Sequence, residues 1–359
     1  MKRVFSSPGL WSAMICCVFV AVVYFTHDCD PLAFVIMGSR FTEGDPSGIL
    51  GYDGQFAYYI ARDPVGARPY LGANPSYRYQ RIIYPMLARL LALGQPGLIP
   101  WTLVLINIVS ISWGTELLGR MLESHGLSAW LALLLTFWLG QVFALRADLN
   151  EPLSYFFAIV ALQWYDRRWN LPSALAIAAS LLTKETGALF LPAIVIVELL
   201  QKRWKVALGY GLTAFVAYAG LQAFLQSWLG LSGLDQLGNR FEWIPFYGYA
   251  FTEPLAARVF LVLIIALPAA VLLVVAALRI AKRPLSLYAW GLVFNCLMIV
   301  FIPRRTAFDV LATFRVGTGL VIATLLYSAV HRSRRLALLL SAIWLPPSIL
   351  AVLIPGFLL

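Results

Sequence analysis

The residues best suited to chemistry are one carboxylate between two glycines and two arginines three positions apart. Asp53 stands in Gly51-Tyr52-Asp53-Gly54-Gln55-Phe56, and Arg78 and Arg81 stand in Tyr77-Arg78-Tyr79-Gln80-Arg81. Arginines three apart share a face if the segment is helical, and guanidinium groups grip phosphate bidentately. A carboxylate can accept a proton from an attacking hydroxyl. Between glycines, Asp53 also fits a turn or a helix cap. Asp45, in Gly44-Asp45-Pro46, is a rival acid that reads as a turn.

Other charges stand between apolar runs. Arg146-Ala147-Asp148 is followed by Asn150-Glu151-Pro152, and Lys184-Glu185 separates two runs of about a dozen apolar residues. Asn150 and Glu151 also read as the cap and first turn of a helix. Charges at a helix break in a membrane protein are costly and usually functional, unless Lys184 and Glu185 simply pair with each other. Arg304-Arg305 follows a later apolar run.

These residues belong to a chain built for lipid. It has 359 residues, 61% of them apolar and 12% charged, with mean hydropathy +0.80. Soluble domains average about 25% charged residues. A span takes roughly 20 apolar residues, so the pattern predicts an all-α polytopic membrane protein with about 11 transmembrane helices. The first span is expected at 10–26 as an uncleaved signal anchor. Later ones are expected at 100–119, 127–145, 150–165, 205–229, 254–279, 285–302, 308–330 and 336–357. Residues 171–200 read as two short or re-entrant helices. Residues 27–99 form one large loop, in which 82–93 and 56–60 read as amphipathic interfacial helices.

The net charge of +10 points to membrane orientation rather than nucleic acid. Bases cluster in short connections such as Arg167-Arg168 and Lys202-Arg203-Lys205, which the positive-inside tendency assigns to the cytoplasm. That puts the N-terminus inside and the 27–99 loop outside. The four cysteines make no disulfide framework, and His27, His125 and His331 are too scattered for a metal cluster. There is no phosphate loop or dinucleotide fingerprint.

One short span, a large outer loop with an early Asp and two interfacial helices, then a bundle broken at Leu182-Thr183-Lys184-Glu185-Thr186: this resembles the GT-C superfamily of membrane glycosyltransferases. Tyr52-Asp53-Gly54-Gln55-Phe56 with Arg78-Tyr79-Gln80-Arg81-Ile82-Ile83-Tyr84-Pro85 is closer still to the bacterial cell-surface glycopolymer formation proteins. The resemblance covers most of 10–205, giving a single membrane domain with a loop at 27–99, a GT-C-like core at 100–205 and variable helices at 206–359.

The resemblance implies an inverting transferase of the bacterial inner membrane, active on the periplasmic face. It would move a sugar from a polyprenyl-phosphate carrier to a cell-surface glycan or glycolipid. Asp53 matches the family's catalytic acid. Tyr52, Gln55, Arg78, Arg81, Asp148, Glu151, Lys184, Glu185, Arg304 and Arg305 would contact the substrates, with Lys184 near the carrier phosphate. Asn239-Arg240-Phe241-Glu242-Trp243 could stack on sugars or belong to an aromatic belt. No cofactor is predicted, and a divalent cation is left open. The alternatives are a transporter or flippase for polyprenyl-linked glycans and a non-catalytic carrier-binding assembly factor.

Overall fold

A computed structural model of the chain describes residues 7–42, 44–72, 75–233 and 242–353, and every regular element among them is helical. Six helices are long and apolar enough to cross a membrane: Pro8–Thr26, Pro96–Ser124, Trp204–Leu229, Leu255–Lys282, Val310–Val330 and Arg334–Ala351. Ala129–Phe137 and Leu139–Arg146 meet at 52° and make a seventh if counted as one bent span. This is fewer than eleven. The expected spans at 150–165 and 285–302 form Glu151–Asp166 and Leu287–Val300, shorter than the roughly 20 residues a span takes. Residues 171–200 form Asn170–Thr183, a 3-10 segment at Glu185–Phe190 and Leu191–Leu200, so the break falls at Lys184.

The first helix is fixed at its start. Ser7 accepts the Leu10 amide at 3.2 Å and Pro8 fills the first turn, where its missing N–H is no loss. Glu116, on Ile99–Ser124, accepts from Ser7 Oγ at 2.7 Å and from the Gly9 amide at 3.1 Å. A carboxylate at a helix N-terminus meets the positive end of the helix dipole.

The long loop packs onto the bundle instead of hanging in solvent. Helices Gly54–Arg62 and Ile83–Leu91 bury Phe56, Tyr59, Ile60 and Tyr84 against Ile99, Leu103 and Ile106. Full burial of one such side chain is worth about 1.5–3 kcal/mol where the alternative is water. Gly51 turns the chain into the first of these helices with φ +67°, close to the Gly38 and Ile36 backbone. Gly54 then lies so near the Ala147 carbonyl that a side chain there would collide with it. Gly54 thus lets the backbone beside Asp53 approach the Ala147-Asp148 turn that precedes Glu151.

Candidate functional site

A cavity of about 520 Å³ opens where the loop, the Lys184 break and the Val310–Val330 span converge. Its charged lining is five cations (Arg78, Arg81, Lys184, Arg305, Arg315) and four carboxylates (Asp53, Glu151, Glu185, Asp309).

Asp53 takes the helix N-cap position without capping; its side chain makes no cap hydrogen bond. Its oxygens instead divide between two guanidiniums, Oδ1 with Arg78 Nη1 at 2.8 Å and Oδ2 with Arg315 Nη2 at 3.3 Å. Burial pushes the carboxyl upward, but Arg78, Arg315, Lys184 and Arg81 outweigh it and hold Asp53 well below the usual carboxylate range. It is therefore an ionised group aimed at its cations. Arg78 also lies over the Phe56 ring, 3.9 Å from its centroid, a cation–π contact that fixes its plane.

Arg315 is the hub. Its Nε donates to Glu151 Oε1 at 2.6 Å and its Nη1 to Tyr52 Oη at 3.0 Å. The Tyr52 hydroxyl in turn donates to Asp309 Oδ2 at 2.7 Å. Asp309 Oδ1 caps the next helix, accepting from the Leu311 and Ala312 amides at 2.9 and 3.2 Å. Lys184 donates to the same Glu151 oxygen that Arg315 uses. Sequence reasoning missed Arg315 and Asp309 by assigning 206–359 to variable helices. The available signal was Arg315 itself, a charge inside an apolar span.

The remaining expected residues divide. Lys184 and Glu185 do not pair with each other: Glu185 takes Arg81 at 3.2 Å and the Gln80 amide at 2.8 Å. Arg78 and Arg81 share the cavity but not a helix, because Pro75–Tyr79 ends before Arg81. Arg81 is held by Tyr77, whose hydroxyl it reaches at 2.7 Å. Gln55 lines the cavity, and its amide braces the loop by donating to the Leu50 carbonyl at 2.9 Å and accepting from Gly38 at 3.2 Å. Asn150 caps nothing; it donates to the Thr183 carbonyl at 2.8 Å. Arg305 lines the cavity, whereas Arg304 does not and stacks on Phe251 at 3.5 Å. Asp45 is a turn, accepting from the Ser47 amide and hydroxyl. Asn239, Arg240 and Phe241 lie outside the described residues.

Asp148 sits apart from the main cavity. It is fully buried at φ +48°, and both carboxyl oxygens lack a hydrogen-bond partner among the described residues. Burial holds its carboxyl well above the usual range, with Arg146 opposing. It lines a crevice of about 30 Å³ with Asp53, Arg78 and Arg81, room for one water. Among the described residues no group of three or more His, Cys, Asp or Glu side chains could hold a metal.

Chemically, the cavity can bind an anion among its cations and present a fixed carboxylate to a hydroxyl. No protein-family pattern, curated protein or solved structure matches this chain.

Proposed function

We propose that the chain is an inverting glycosyltransferase of GT-C type, with about 11 spans counting its short helices. It would transfer a sugar from a polyprenyl-phosphate carrier to a cell-surface glycan or glycolipid at the periplasmic face of a bacterial inner membrane. The observation that carries this reading is the Arg78–Asp53–Arg315 arrangement on the wall of a cationic cavity. An acceptor hydroxyl attacks the anomeric carbon as the bond to the carrier phosphate breaks. The hydroxyl proton passes to Asp53, and the phosphate leaves with both bonding electrons, its charge met by cavity cations. Arg78 and Arg315 keep Asp53 anionic but weakly basic. A bound phosphate draws on the same guanidiniums and so raises the proton affinity of Asp53 when transfer begins.

A transporter reading has one specific support: Lys184 and Arg315 share Glu151 beside a helix break, an arrangement that broken-helix carriers also use. The experiment is sugar transfer by purified protein from a panel of polyprenyl-phosphate sugars. Wild type is expected to transfer, and Asp53→Asn to lose about 10²–10⁴-fold in rate. Transfer by Asp53→Asn at wild-type rate would eliminate the base assignment. Movement of a labelled carrier across vesicles without transfer would favour the transporter.

A further inference from the structure

A second cavity, of about 430 Å³, lies at the other end of helix Gly54–Arg62 from Asp53. Nine helical residues at 1.5 Å each separate the two ends by about 13 Å. Tyr59 and Tyr70 stack in its wall, with centroids 4.8 Å apart and planes 17° apart. Tyr59 is 5% exposed, and its buried hydroxyl has no hydrogen-bond partner among the described residues. Burial pushes that phenol up to about 12, so it keeps its proton. Tyr70 is 39% exposed, and Tyr59 covers one face of its ring.

Polar groups at the helix end complete the cavity. Asp63 Oδ1 accepts from the Val65 and Gly66 amides at 3.2 and 2.9 Å, which orients the carboxylate. Neither Asp63 Oδ2 nor the Arg62 guanidinium has a side-chain or backbone partner among the described residues. The helix end is itself held, because Arg89 donates to the Ala61 and Arg62 carbonyls at 3.0 and 2.7 Å. A partly exposed aromatic ring beside an oriented acid and a base suits a molecule with an apolar ring face and a polar rim. That description fits a saccharide.

We propose that the Tyr59–Tyr70 cavity binds a sugar unit of a glycan. Resting on the transferase reading, this unit belongs to the acceptor chain, away from the bond being formed. The test uses full-length protein in phosphatidylcholine nanodiscs and saturation-transfer NMR. The probes are maltotetraose, cellotetraose, chitotetraose and tetragalacturonate, with glycerophosphoglycerol as the lipid-headgroup control. At least one oligosaccharide is expected to bind wild type and Asp53→Asn equally. Tyr70→Ala, at an exposed ring, is expected to weaken that binding about tenfold, or 1.4 kcal/mol, with an unchanged melting temperature. Tyr59→Phe, which removes only the buried hydroxyl and keeps the stacked ring, is expected to leave that binding unchanged. The proposal is overturned if no oligosaccharide binds, if Tyr70→Ala binds as wild type does, or if only the headgroup probe depends on Tyr70. If glycans bind through Tyr70 but no donor sugar is ever transferred, the sugar site stands and the transferase reading fails.

Discussion

A carboxylate gripped by two arginines has a pH signature. The folded-state pKa of Asp53 is depressed, so its ion pairs stabilise the fold above the unfolded value near 3.9. That stability is lost only as pH falls through the lower folded value. On the proposed function, Asp53 is therefore not expected to set the acid limb of wild-type transfer. In Arg78→Gln one guanidinium is gone and the limb moves to higher pH, as pH–rate profiles of the two proteins would reveal; coincident profiles would refute it. Arg315 and Arg305 separate stability from binding. Breaking a buried ion pair costs about 3–5 kcal/mol, so Arg315→Gln is expected to lower the melting temperature and transfer together. Arg305 is exposed with no ion pair among the described residues. Arg305→Gln is expected to raise the KM for the carrier several-fold, with stability within about 0.5 kcal/mol. A Tm loss in Arg305→Gln matching that of Arg315→Gln would contradict this division.

At the scale of elements, the loop segments were legible because amphipathic spacing and Gly51/Gly54 punctuation are local signals. The break at Lys184 was legible because two charges interrupt apolar runs. Their partners were not legible. Lys184 reaches across 33 positions to Glu151 and Arg81 across 104 to Glu185, and nothing local specifies either pairing. The same-face argument for Arg78 and Arg81 reached the right cavity by the wrong route, since the helix stops at Tyr79. Gly54 tests the element that carries Asp53. Gly54→Ala, good for helix propensity by about 1 kcal/mol, places a methyl against the Ala147 carbonyl. It is expected to destabilise the protein and abolish transfer, read by thermal melting and assay. A variant as stable and active as wild type would mean that this contact does not position Asp53.

At the scale of the molecule, hydropathy predicts an all-helical membrane chain, and the six candidate spans agree with that class. Span counting was less legible, in part because two cavity charges bound short helices: Glu151 begins one and Lys184 ends another. Orientation has a direct measurement. Ser47 is exposed on the first loop, so Ser47→Cys, with Cys17 and Cys29 replaced by Ser, is expected to react with an impermeant thiol reagent applied from the periplasmic side. Reaction from the cytoplasmic side alone would overturn the topology on which the proposed function depends.

Arg315 enters the cavity from the Val310–Val330 helix, more than 260 positions after Asp53. During synthesis Asp53 can meet Arg78 early, but it waits for most of the chain before its second cation exists. The ribosome must release nearly the whole polypeptide into the bilayer before the acid, the guanidinium hub and Glu151 stand together. A chain that ends before Arg315 would keep Arg78 beside Asp53 but lack the guanidinium that also ties Tyr52 and Glu151 to it.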